Sequence, residues 1–292
     1  MYLQTIEVPE GTVLDSLEQI SAIHDILGDK DAAVAAFKLA LAEVRKINLQ
    51  EKPILGIKHY YFLGIFSVNR LGDPVQAKEL LETAYIVAKR MPDFPWHSVA
   101  VDLSDVKYVM KDRDGAAAQL NALLQETNVD DEITIKVLYK LARIHSEMAN
   151  KSKALEIYER LVEKVRTSEK SVLPEPLVAH RVGKLYLLTG NLSKASHFLK
   201  LAQSDETDPE LKSQVGVALT AVKAQAGERQ EALKGVEELV LITENSITKD
   251  TVPIGELKTD LGEILLILGE YNRATEEFQK VTDPTVTNLH KP

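Results

Sequence analysis

The 292-residue chain has no cysteine, which removes disulfides, thiolate nucleophiles and cysteine metal sites from consideration. Aromatic residues make up only 5% of it, so Leu, Val, Ile and Ala must build the core that 45% apolar content allows. Long hydrophobic runs are missing too. The stretch Ile264 to Leu268 is among the longest and is far too short to span a bilayer. The first residues, MYLQTIEVPEG, show no basic region followed by an apolar run, so no signal peptide is expected and the cytoplasm is the default location. Positive charge is in deficit, with a formal net charge of −9. A summed field of that sign repels nucleic acid and anionic membranes, and neither is expected as a partner.

Catalytic signatures are equally scarce. There is no glycine-rich phosphate loop, no HExxH pair and no nucleophile elbow, so an enzyme is not expected, and neither is a cofactor or a metal site. Asp112 to Gly115 reads DRDG, like part of a calcium loop, but Met110 stands where the first carboxylate ligand belongs and Asn121 where the last does. His24 and His145 occupy the repeat position held elsewhere by Tyr186, which makes them packing residues rather than ligands.

What the chain does contain is repetition. LARIHSEMANKSKALEIYERLV and VGKLYLLTGNLSKASHFLKLA superpose without a gap at an offset of 41, placing Ala142 on Gly183, His145 on Tyr186 and Ala154 on Ala195. The pattern describes two helices that cannot bury their own faces alone. The first offers a large and then a small residue, the turn calls for Gly or Asn in a left-handed conformation, and the second places alanine at the crossing. The turn and its alanine recur at Ala33, Ala77, Ala116, Ala232 and Ala274, giving seven anchors with Ala154 and Ala195. This predicts an all-α stack of helical hairpins over residues 1–292, with a fraying tail at 283–292. In the second copy, Gly64 to Gly72 holds one residue too many.

These residues resemble the tetratricopeptide-repeat family over roughly the whole chain. The spacing of about 40 residues is similar to the long-repeat variants found in kinesin light chains and bacterial peptide-sensing regulators. The resemblance implies a right-handed superhelical solenoid of about seven hairpins that binds other proteins through a concave face lined by first helices.

Helical spacing then extracts the residues of that face. In the fourth repeat they are Lys136, Lys140 and Arg143, with Tyr139 beside them, and in the fifth His180, Arg181 and Lys184. The same stripe is acidic in the third repeat (Asp102, Asp105) and in the seventh (Glu256, Asp260, Glu263), and small in the sixth (Ala218, Ala221, Ala224). An acidic or carboxylate-bearing protein segment is therefore the expected ligand, held by charge-assisted contacts from Arg143 and Arg181. The asparagines of the chaperone-tail clamp are absent from repeats four and five. Two further roles are open: a ligand-sensing regulatory module, or a self-associating subunit of a larger assembly. For the latter, Leu257, Leu261, Ile264 and Leu268 would lie on the outer face of the last repeat and form a homodimer contact unless Val286 and Leu289 covered them.

Overall fold

A computed structural model describes residues 10–91, 94–126, 129–168, 171–203, 209–245 and 254–282, with side chains at 10, 243–245 and 254 aside. Among these residues the chain forms α-helices and no strand, as the periodicity predicts. No helix among them is long and apolar enough to cross a membrane. Val286 and Leu289, and the tail at 283–292, lie outside the described residues.

The chain divides into two compact units, Met1–Ile144 and His145–Pro292. Unit 1 holds α1 (Glu10–Ile26), α2 (Lys30–Val44), α3 (Pro53–Phe66), α4 (Pro74–Lys89), α5 (Trp96–Val109), α6 (Arg113–Leu123) and most of α7 (Asp131–Glu147). Unit 2 holds α8 (Lys151–Thr167), α9 (Glu175–Leu188), α10 (Leu192–Leu201), α11 (Pro209–Gln225), α12 (Arg229–Asn245), α13 (Ile254–Ile267) and α14 (Tyr271–Thr282). Within unit 1, α1 pairs with α2, α3 with α4 and α5 with α6, and each pair packs on the next. Within unit 2, α9 pairs with α10, α11 with α12 and α13 with α14, and α11 packs against both α9 and α13.

One backbone device closes every hairpin. A residue with positive φ stands five positions before each crossing alanine, at 28 and 33, 72 and 77, 111 and 116, 149 and 154, 190 and 195, 227 and 232, and 269 and 274. All seven alanines are at most 1% exposed. Glycine supplies the left-handed residue five times, but Lys111 and Ala149 supply it in the third and fourth hairpins. Asn150 and Asn191, expected to adopt this conformation, instead have φ near −85° and cap the following helix, accepting from the backbone N–H of Lys153 and Lys194. Asp29, Asp73 and Asp112 do the same for α2, α4 and α6. A side-chain acceptor satisfies an orphan N–H of the first turn, which is a different task from adopting positive φ. The DRDG stretch is therefore a capped repeat turn.

The small residue of the first helix has a spatial cause. A Cβ added at Gly64 would lie 2.7 Å from Leu81 Cγ, and one at Gly183 would lie 2.6 Å from Leu199 Cγ. Gly262 is crowded in the same way by the ring of Phe278. The large residue four positions after the anchor thus fills the slot left by its own hairpin's small residue. Leu81 also joins Leu103 and Val106 of α5 in one cluster, so it fills the space toward the next hairpin as well.

The surplus residue of the second hairpin is absorbed by a π-helical segment, Ser67–Leu71, that continues α3. Ser67 carbonyl accepts from the Asp73 N–H at 3.0 Å, while Ser67 Oγ donates to the Asp73 carbonyl at 3.1 Å. A wider turn takes up one residue without displacing Gly72 or Ala77.

The last hairpin corrects one expectation. Leu257, Leu261, Ile264 and Leu268 are not an outer face. They are at most 5% exposed, packed with Ala232, Val236, Leu239 and Ala274 from α12 and α14. Helical spacing groups these four residues correctly, but it does not carry the information that α12 and α14 cover them. The exposed apolar residues here are Leu266, Ile267 and Tyr271.

Candidate functional site

Counting back from the crossing alanine gives each hairpin's first-helix stripe a common register. Arg181 and Ala195, Ala218 and Ala232, and Asp260 and Ala274 are each 14 apart, as are Asp102 and Ala116 and Lys140 and Ala154. The helical turn on either side completes each stripe.

In unit 1 the stripe is largely self-neutralised. Lys58 Nζ lies 2.5 Å from Asp15 Oδ1, joining α3 to α1. Lys140 Nζ sits 2.7 Å from both carboxylate oxygens of Asp105, joining α7 to α5. Lys136 is held by Glu132 of its own helix at 2.5 Å. The Arg143 guanidinium lies over the Tyr108 ring, 5.5 Å from its centroid, and a donor of the same group is 3.5 Å from the Tyr108 hydroxyl. Tyr139 is half-buried. Tyr61 donates to Asp102 at 2.6 Å, and burial raises the pKa of both the phenol and the carboxyl. All three cations expected as ligand contacts in this unit, Lys136, Lys140 and Arg143, thus have protein partners. Lys140 in particular makes a double contact with Asp105.

Unit 2 is arranged differently. Arg181 and Lys184 are exposed on α9 and have no hydrogen bond or ion pair among the described residues. Glu256, Asp260 and Glu263 on α13 likewise have none, Asp260 being half-buried. Between these helices runs α11, whose stripe carries Ala218 and Ala221. Burial raises the Asp260 pKa above the usual carboxylate range, Lys184 opposes that shift across α11, and Glu263 and Glu256 reinforce it.

His180 departs from its expected role. Expected among the ligand contacts of the fifth repeat, it is 1% exposed and belongs to the core side of α9. Neither ring nitrogen has a hydrogen-bond partner. Burial, with Lys184 and Arg181 nearby, lowers its pKa to about 4, so the ring is neutral at physiological pH.

A group that sequence reasoning passed over lies at the start of unit 1. Asp15, Glu18 and His59 bring ligand-type atoms within 4.8 Å of one another. His59 Nδ1 and Glu18 Oε1 are 2.7 Å apart and both side chains are buried, while Asp15 holds Lys58. His59 Nδ1, Glu18 Oε1 and Asp15 Oδ1 each have a protein partner, while His59 Nε2 has none, and the group forms a polar link between α1 and α3. The signal for it was the 41-residue separation of Glu18 and His59, the same interval that relates repeats four and five.

The sequence model of the tetratricopeptide repeat matches residues 135–163, which span the α7 and α8 helices around the turn at Ala149. No curated protein sequence matches the chain. Among solved structures, it is similar to a tetratricopeptide repeat protein from Parabacteroides merdae at 16% identity and a TM-score of 0.61, covering 95% of this chain and 97% of that one. It is also similar to BtubC (BKLC) from P. vanneervenii, at 17% identity and a TM-score of 0.57, over 80% of this chain and 90% of that one. Aspartyl phosphate phosphatase F from Bacillus subtilis is similar at 12% identity and a TM-score of 0.57, over 96% and 72%. Identities this low speak for fold alone, and the fold is the all-α hairpin solenoid. Residues 135–163 match the tetratricopeptide repeat, and the whole described chain shares the fold of solved tetratricopeptide-repeat structures.

Proposed function

We propose that this chain is a protein-interaction scaffold whose unit 2 docks an acidic, carboxylate-bearing segment of another protein against Arg181 and Lys184. The observation that carries the reading is that these two cations stand exposed on adjacent turns of α9 with no partner among the described residues, in a chain of net charge −9. An exposed charge without a partner keeps its full capacity for a charge-assisted hydrogen bond, and a guanidinium can grip a carboxylate with two parallel bonds. In unit 1, Arg143 and Lys136 would contribute only by exchanging Tyr108 and Glu132 for the ligand. Lys140 contributes by holding α7 to α5.

The test is affinity purification with the tagged chain and with R181E/K184E, followed by titration of a recovered acidic partner into both proteins. Loss of at least tenfold in affinity at unchanged helicity is expected, with a steep decline as salt rises. Equal affinity of the two proteins for every recovered partner would end the proposal. Self-association is not pursued, because the four residues that suggested it are core residues of unit 2.

A further inference from the structure

The first helices of unit 2 carry exposed or half-buried charge of two signs. One set is the α9 pair Arg181 and Lys184, and the other is Glu256, Asp260 and Glu263 of α13. The α11 helix packs between them and contributes alanine at both central registers, Ala218 and Ala221. None of these five charges has an ion pair or hydrogen bond among the described residues, although Lys184 lies close enough for its field to act on Asp260. In unit 1, opposite charges on successive first helices close onto each other, as Lys58 does on Asp15 and Lys140 on Asp105. In unit 2 the interposed alanine helix holds them apart.

His180 supplies an independent sign of an unfilled place. Its register on α9 is that of Tyr61 on α3: 180 precedes Ala195 by 15, and 61 precedes Ala77 by 16 because of the extra π-helical residue. From that register Tyr61 reaches forward to Asp102 of the following first helix. The residue at Asp102's register on α11 is Ala218, so the His180 ring has no carboxylate to meet, and both nitrogens are left without partners while 99% of the residue is buried. A buried polar group without a partner is costly, so the missing carboxylate leaves a local defect on the core side of α9.

We infer that the unit 2 groove binds a short extended peptide segment carrying both charges, its carboxylate toward Arg181 and Lys184 and its ammonium or guanidinium toward the α13 carboxylates. The segment's main chain lies over α11 at the partly exposed Ala221, whose small side chain permits close approach. The walls are two helix spacings apart, each about 8–10 Å, less the reach of the side chains. An extended chain advances about 3.3 Å per residue, so the acid and the base should stand about three to five residues apart. The inference rests on the acidic-segment reading above and sharpens it, because a purely acidic segment would be repelled by α13.

That repulsion gives a test of opposite sign. A randomised octapeptide display library is selected against the full chain, and enriched peptides are titrated by fluorescence anisotropy into the wild type, R181E/K184E and E256Q/D260N/E263Q. The expected peptides carry an acid and a base at the stated interval, and both variants bind them at least tenfold more weakly. Enriched peptides that are acidic only, lose affinity with R181E/K184E and bind E256Q/D260N/E263Q equally or more tightly would overturn the two-sign groove and leave the acidic-segment reading standing. Peptides indifferent to R181E/K184E, or no enrichment at all, overturn both. If loss of half-buried Asp260 disturbs folding, the exposed pair E256Q/E263Q carries the same prediction with a smaller reduction, of about threefold.

Discussion

Units 1 and 2 use one repeat plan and treat its inner charges in opposite ways. Where acidic and basic stripes fall on successive first helices, as on α5 and α7, they neutralise each other and the charge becomes a staple between hairpins. Where an alanine-bearing helix separates them, as α11 separates α9 from α13, the same charges find no partner among the described residues. The order in which charged and small repeats follow one another, rather than the number of charges, decides whether a stripe holds the fold or faces outward. Position 14 before the crossing alanine shows the contrast: Asp102 accepts a part-buried hydrogen bond, Lys140 makes a salt bridge, and Ala218 makes neither.

The strongest challenge to this contrast is at the Tyr61 and His180 register. The native His180 pKa of about 4 lies below the unfolded value near 6.5. Its contribution is therefore complete above pH 6.5 and is lost as pH falls through 4, a change of about 3 kcal/mol at 1.36 kcal/mol per unit. Urea unfolding of the wild type against H180L across pH 7 to 4 should show the variant's stability falling less by that order. Parallel curves would mean that the ring is not held neutral. Tyr61 has no such titration, and Y61F should instead cost roughly 1–3 kcal/mol at neutral pH by leaving the buried Asp102 carboxylate without its donor.

Overpacking the hairpin crossing should affect the two units alike. A77L in unit 1 and A195L in unit 2 are each expected to lower stability by about 1–3 kcal/mol, read from thermal or urea transitions. A near-zero effect at either site would show that its alanine is not at the crossing. Next come the two non-glycine turns, one in each unit. K111G and A149G should each stabilise by about 1 kcal/mol, since both positions hold a side chain at positive φ. The smallest effect bears on the comparison most directly. A double-mutant cycle on Lys140 and Asp105 should return a coupling of about 0.5–1 kcal/mol, whereas the Lys184 and Asp260 cycle should give roughly half that or less. Equal couplings would erase the distinction between a paired and an open stripe.

Much of the architecture was readable before any coordinates, because a small residue at a helix crossing and a sharp turn before it are steric demands local to the chain. The seven alanines and the surplus residue at Gly64 to Gly72 are of this kind, and all fall where the spacing put them. Assigning the left-handed residue to Asn150 or Asn191 failed because the same side chain serves equally as an N-cap, and its oxygen found the Lys153 or Lys194 N–H. The stripe on α13 was grouped correctly but placed outside, because which helices cover an apolar face is a tertiary relation that spacing does not carry. The candidate cations were found as residues, but their partners were not. Pairing depends on which helix lies alongside, and Lys140 meets Asp105 through a packing relation 35 positions long. That interval, with opposite signs at matching registers, was the available clue. His180 could not be separated from Tyr139 by spacing, since burial at that position is set by the neighbouring helices.

The π-helical segment at Ser67–Leu71 has a practical consequence for anyone engineering or aligning this chain. Numbering carried over from another hairpin by a fixed interval slips by one upstream of it, so a charge meant for half-buried Phe62 would land on fully buried Leu63 and be driven into the core. A single wide turn thereby changes which substitutions the second hairpin can tolerate, while leaving its own Gly72 and Ala77 in step with the rest.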